Sequence, residues 1–219
     1  MFPDAGTRLQ AIIFDFDGVI LDSAGLKTQA FADCYAGEHA EKIAEVVAYQ
    51  ERHGGIGRRE KFAYFERAIF DRPGDPDSLD ALCRRFAQLA DTALLDAPFI
   101  PGAEQALATL HGRLPLHLVS GMPEVELKAV LARRQLCGLF ASVAGSPKPK
   151  LAEFRRILSE GGYPQDAVLA VGDSRTEFDA ALELGIPFLA IVAEGAPDFF
   201  PADLPRRPDL SGFLDLVAE

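Results

Sequence analysis

After residue 97 the chain changes period, and that change limits the fold more than any other feature. Four short apolar runs, LPLHLVS (114–120), FASVA (140–144), AVLAVGD (167–173) and PFLAIV (187–192), alternate with stretches whose apolar residues recur at helical spacing, over 102–111, 123–135, 150–160 and 175–184. Strands that are apolar throughout are buried on both faces, so the intervening helices are the covering layers of a parallel sheet. One more such run, LQAIIFDF (9–16), stands alone near the N-terminus and reads as the first strand. Between it and residue 97 no strand signal occurs. Four helical stretches lie there instead, broken by HGGIG and DRPGDP. The expected architecture is an α/β protein: a Rossmann-like parallel-sheet core of residues 1–22 and 97–219, with an inserted α-helical cap domain over 23–96. A lobe planted where the first strand ends would stand over the carboxyl edge of the sheet, where such folds place their chemistry and where it can act as a lid. The proline-rich tail, 195–208, is expected to wrap the surface before a last short helix, SGFLDLVAE.

The first strand carries an oddity. AIIFDFDGVILDS sets Asp15, Asp17 and Asp22 inside or beside an apolar run, and an unpaired buried carboxylate costs several kcal/mol. These acids need partners. Asp15 and Asp17 lie two apart at a strand end and can point toward one region, and Asp173 closes another strand of the same sheet. Three carboxylates converging there would repel unless a hard cation sat among them, and oxygen ligands without His or Cys favour Mg²⁺. Ser120, the backbone of Gly121 and a lysine of SPKPK, Lys148 or Lys150, would serve the remaining oxygens of a phosphate group. Charge agrees with a small ligand: 33 acids against 22 bases give a net −11, which disfavours nucleic acid or an anionic membrane as partner. A small phosphorylated metabolite is the expected one, with the protein a monomer or homodimer. Cys34, Cys83 and Cys137 are far apart and form no CxxC pair, so neither a disulfide framework nor a thiolate zinc site is indicated. With no apolar stretch near 20 residues and no signal-like N-terminus, the expected location is the cytoplasm.

The ordered set of motifs, Asp-x-Asp-Gly-Val-x-x-Asp-Ser (15–23), a strand-final Ser-Gly (120–121), SPKPK (146–150) and Gly-Asp-Ser-x-x-Glu-x-x-Ala-Ala (172–181), resembles the haloacid dehalogenase superfamily, in particular its phosphatase branch with a helical cap. The resemblance implies that Asp15 is a nucleophile forming an aspartyl phosphate. Asp17 would be the general acid for the leaving alkoxide and then the base for water. Asp15, the backbone carbonyl of Asp17 and Asp173 would ligate Mg²⁺, with Glu177, where relatives often have Asp, as outer support. Lys150 is the slightly better candidate of the two lysines, because a helix opening there faces its ammonium toward the pocket. Gly18, Gly121 and Gly55 join Arg58, Arg59 and Lys61 as expected substrate-binding positions. A phosphomutase of the β-phosphoglucomutase kind keeps the same residues; a metal-independent 2-haloacid dehalogenase has no use for Asp17, since a halide leaves without a proton. A non-catalytic binding protein would have little reason to keep mutually repelling acids.

The cap stretch HGGIGRREKF (53–62) is the least expected segment. Gly54, Gly55 and Gly57 interrupt a helical region at about 1 kcal/mol each relative to alanine, so a turn or a close approach is implied. The cluster Arg58, Arg59 and Lys61 then reads either as a solvated helix start or as a specificity loop that meets an anionic part of the substrate. Ser120 taken alone reads as a helix cap, and Asp22 with Ser23 read as the start of the first cap helix. His39, His111 and His117 show no metal-type spacing.

Overall fold

The computed structural model describes residues 8–217, with the side chains of 91–93 set aside. The first seven residues of the expected core and the last two of the expected C-terminal helix lie outside that range. Six parallel strands form one sheet: β1 (Ala11–Phe14), β2 (Leu116–Pro123), β3 (Ser142–Ser146), β4 (Val168–Gly172), β5 (Phe188–Ile191) and β6 (Arg206–Arg207), in the order β3-β2-β1-β4-β5-β6. The short β6 falls in the proline-rich tail, which carried no strand signal. Alternation along β1 divides the interior. Ile12 and Phe14 face one apolar layer with Leu118, Val171 and Phe213, while Ala11 and Ile13 face another with Phe154, Ala180 and Phe188. Both faces are dry, as a parallel sheet requires.

Helices α1 (Ala24–Cys34), α2 (Ala40–Arg52), α3 (Arg58–Tyr64) and α4 (Pro76–Asp96) follow β1; α5 (Ala103–Leu110), α6 (Glu124–Arg133), α7 (Lys150–Gly161), α8 (Arg175–Leu184) and α9 (Phe213–Val217) alternate with or follow the later strands. The third helical stretch is two pieces, α3 and a π-helical turn over Phe65–Ile69 that buries Glu66 beside the Tyr35 hydroxyl at 3.1 Å. Among the described residues the block 24–96 contains helices and no strand. Phe31 sits at its centre, with the rings of Phe86, Phe62 and Phe65 at 4.4, 5.2 and 5.7 Å; such pairs add about 0.5–1.5 kcal/mol beyond the area they bury. The chain leaves and re-enters the sheet by two segments that run side by side. Asp22 N donates to Pro98 O (2.9 Å), Ile100 N donates to Ile20 O (3.0 Å), and Leu21 pairs antiparallel with Phe99. Arg134 fastens the end of α4 to the core through the carbonyls of Leu94, Leu95 and Ala97. Among the described residues no helix is long and apolar enough to cross a membrane.

The order 3-2-1-4-5-6 puts the topological switch point between β1 and β4, and ligands of open parallel sheets bind outside the strand ends at such a point. Asp15 follows β1 and Asp173 follows β4.

Candidate active site

Asp15 is buried one residue past β1, its N–H donating to Val171 O at 3.0 Å, while Phe16 turns back into the core. Gly18 then takes a φ of +76°, and its N–H closes the turn on Leu21 O at 2.8 Å. A Cβ at this position would overlap the carboxylate of Asp173. Glycine therefore serves twice, for the left-handed backbone and for letting the two loops touch. One oxygen each from Asp15, Asp173 and Glu177 lies within 4.8 Å of the others, and Oδ1 of Asp15 is buried without a hydrogen-bond partner. Burial pushes Asp15 above the usual carboxylate range, with Asp17 adding to it. Burial and the Asp15 charge push Asp173 up to about 8. A buried, partnerless oxygen among crowded acids is the donor set of a hard cation, so the residues present fit Mg²⁺.

Lys150, at the start of α7, places Nζ 3.3 Å from Asp15 Oδ2 and pairs with Glu177. Lys148 lies on the surface, ion-paired to Glu124 at 2.9 Å, and has no contact with Asp15. Of the two lysines the site therefore takes Lys150: one residue past Pro149 the helix turns its side chain inward, and Lys148 falls on the outer side of the loop. Glu177 is the third residue of α8 and accepts a hydrogen bond from Ser174 N at 3.1 Å, completing a capping box, so it holds the helix start as well as the edge of the acid cluster.

Asp17 is held from several directions while staying partly exposed to the chamber. Ser23 Oγ donates to its Oδ1 at 2.6 Å; Lys27 pairs with Oδ2, and Ser120 Oγ approaches the same oxygen at 3.4 Å. Burial would raise this carboxyl, but the Lys27 charge and the bonds from Lys27 and Ser23 outweigh it and hold Asp17 below the usual range. Ser120 also accepts from Met122 N at 3.1 Å within β2; the N-cap of α6 is Pro123, which makes no side-chain capping bond, so the reading of Ser120 as a helix cap does not hold. Ser23 stands at the N-cap of α1, where the sequence put the helix start, but its hydroxyl makes no capping bond and is spent on Asp17. Asp22 is exposed.

The cap loop presses on this floor. A Cβ at Gly55 would overlap Thr176 Oγ1 and Ser174 Oγ, and one at Gly121 would come 2.7 Å from Gly55 O. The three basic residues that follow separate sharply. Arg58 is buried, paired with Glu126 of α6 and 5.1 Å over the Phe86 ring. Arg59 is 51% exposed and pairs with Asp80. Lys61 is 2% exposed and donates to Gln50 Oε1 (2.5 Å) and Gly54 O (2.9 Å). Burial and the Lys27 charge bring Lys61 down to about 7. Asp15, Asp17, Asp173, Lys27, Arg58 and Lys61 border one chamber between cap and sheet; Arg59 and Lys148 border an adjoining cleft that shares Gly55 and Gly121 with it and reaches Ser120 and Lys150.

Lys27, Ser23 and Gln50 were missed by sequence reasoning. Lys27 lies four residues past Ser23, one helical turn, which was the available signal. Gln50 offered none.

A family model described as haloacid dehalogenase-like hydrolase matches residues 9–185. The phosphoglycolate phosphatase of Rhodospirillum rubrum is 28% identical over 190 residues, covering 83% of this chain and 79% of its own. That of Synechococcus elongatus is 28% identical over 187 residues, 84% of each chain. The crystal structure of CbbY from Rhodobacter sphaeroides in complex with phosphate superposes with a TM-score of 0.72 at 20% identity, over 95% of this chain and 96% of that one.

Proposed function

The chain belongs to the haloacid dehalogenase-like hydrolases, and from that premise we propose that it is a Mg²⁺-dependent phosphomonoester hydrolase acting on a small phosphorylated metabolite through an aspartyl phosphate on Asp15. The observation that carries this reading is the buried, partnerless Asp15 Oδ1 at the switch point, beside Asp173 and Lys150 and next to a second acid, Asp17. Relatives named phosphoglycolate phosphatase support hydrolysis as the outcome.

In this reading a carboxylate oxygen of Asp15 attacks phosphorus, and the bond to the leaving oxygen breaks as Asp17 gives that oxygen a proton. Asp17 then takes a proton from water; the water oxygen attacks phosphorus, releasing phosphate and restoring the Asp15 carboxylate. In the free protein Asp17 rests as a carboxylate held by Lys27. The negative charge of an arriving phosphate raises its proton affinity and prepares it as an acid. Lys150 and Ser120 balance charge on the transferring group from the core side. Mg²⁺, held by Asp15, the Asp17 carbonyl and Asp173 with Glu177 in support, would neutralise phosphate oxygens. The cap division at residues 23–96 gives the chamber its roof and keeps bulk water from the acyl phosphate. The three free cysteines and the acidic surface suit a reducing cytoplasmic setting.

The test is hydrolysis of p-nitrophenyl phosphate and 2-phosphoglycolate, abolished by EDTA and restored by Mg²⁺. Chloride release from a 2-haloacid without metal would instead establish a dehalogenase. Phosphoryl transfer to a sugar hydroxyl in preference to water would establish a mutase.

A further inference from the structure

We infer that the leaving group of the substrate carries an anion, a carboxylate or a second phosphate, and that Lys61 is the side chain that reads it; the inference rests on the phosphohydrolase reading above. The cations around the site are not equivalent. Lys27 is paired with Asp17, Arg58 with Glu126, and Lys150 with Asp15 and Glu177. Among the described residues no carboxylate lies within ion-pair distance of Lys61, although it is among the most deeply buried charged groups of the chain. Its two hydrogen bonds go to neutral oxygens, the amide of Gln50 and the carbonyl of Gly54. An ammonium has three N–H donors, so one remains. A buried cation without a counter-ion is disfavoured, and its fall to about 7 expresses that cost.

Position argues that the missing counter-ion belongs to the leaving group. Lys61 comes from α3 and borders the same chamber as Lys27 and Asp17, the acid assigned to the leaving oxygen. In the reading above the transferring phosphate is served instead by Lys150 and Ser120, which come from the strand ends of the sheet. Gln50 and Gly54 hold the ammonium by two fixed acceptors, and the Phe31 ring lies 5.4 Å below it. Such an anchor presents the charge in one place and suits discrimination between substrates. Arg58 and Arg59 differ from Lys61 in that a carboxylate already answers the charge of each, Glu126 and Asp80 respectively.

The experiment compares kcat/KM for 2-phosphoglycolate, a sugar bisphosphate and ethyl phosphate in wild type, Lys61→Met and Lys61→Arg, with Mg²⁺ present. Wild type is expected to favour at least one anionic substrate over ethyl phosphate by tenfold or more, and the favoured one tells carboxylate from phosphate. Lys61→Met is expected to cut that ratio at least tenfold, chiefly through KM, and Lys61→Arg to recover part of it. A wild-type ratio near one, or an equal loss on all three substrates, overturns the inference and leaves the phosphatase reading intact. Should Lys61→Met fail to fold, Gln50→Met, which removes an anchor and keeps the charge, must lower the same ratio; an unchanged ratio there overturns it too. Absence of Mg²⁺-dependent hydrolysis of every phosphomonoester by wild type removes the phosphatase reading itself, and this inference with it.

Discussion

Gly55 of the cap loop lies so near Thr176 of the core that a single methyl group on its Cα would overlap the threonine hydroxyl. The contact makes closure of the cap depend on a hydrogen atom. Gly55→Ala is expected to lower kcat/KM about tenfold or more, because inserting a methyl into a tight contact costs roughly 1–3 kcal/mol, while thermal stability changes little. Wild-type kinetics in the alanine variant would show that the loop has room to spare.

Asp15→Asn removes a charge that the fold holds at a cost. Oδ1 has no hydrogen-bond partner and burial disfavours the ionised form. Turnover is expected to fall by at least about 10³-fold, with stability equal or higher by about 1–2 kcal/mol. Residual activity above a few per cent would refute Asp15 as nucleophile; paired urea melts check the second half.

Divalent metal is expected to act on stability as well as on rate. The acids within 4.8 Å of one another repel in the metal-free protein, so Mg²⁺ at 100 times its dissociation constant adds about 2.7 kcal/mol. For a chain of this size that raises Tm by roughly 5–10 °C. Differential scanning fluorimetry with EDTA and with Mg²⁺ measures it, and Asp173→Asn should abolish most of the difference.

Arg58 and Glu126 tie α3 of the cap to α6 of the core. Arg58→Ala and Glu126→Ala are expected to resemble each other, changing KM for charged and uncharged substrates alike, with a coupling energy of about 1–2 kcal/mol in the double variant. Additive effects would mean the pair is incidental.

His117 gives the fold an acid limit. Its ring accepts or donates one bond with Ser142 Oγ at 2.7 Å, Nε2 is buried without a partner, and burial with the Arg156 charge lowers the group to about 4. A histidine held neutral in the native state binds its proton more tightly when unfolded. Its contribution is therefore complete above the unfolded value near 6.5 and is lost as pH falls from there to about 4. The loss should be on the order of 3 kcal/mol. Urea midpoints for wild type and His117→Gln across pH 4–7 test this: the variant should show a flatter acid limb.

Much of this site could be read in advance because it is built on periodicity and punctuation. Asp15 and Asp17 interrupt an apolar run, and Asp173 ends another; the strand register that brings them together follows from Ile12 and Phe14 facing one layer and Ala11 and Ile13 the other. The division among Arg58, Arg59 and Lys61 was also within reach. Arg58, Lys61 and Phe62 fall on one face at helical spacing and are buried, and Arg59 lies one step round and is exposed. Identity of partners was not. Nothing in the order of residues says that Glu126 rather than a ligand answers Arg58, because that pairing joins segments 68 positions apart through tertiary packing; for Lys27 and Asp17, 10 positions apart, the one-turn spacing from Ser23 was the sole signal.

The chain crosses between cap and core twice, and the two crossings are bonded to each other, Asp22 to Pro98 and Ile100 to Ile20. A lobe hung on one strand could swivel freely; one hung on two laced strands behaves like a door on a pair of pins, free to swing about a single axis and barred from twisting. In the reading proposed above, a swing about that axis would return Gly55 and Lys61 to the same spot beside the acids at each turnover, with no catalytic side chain having to search for its place.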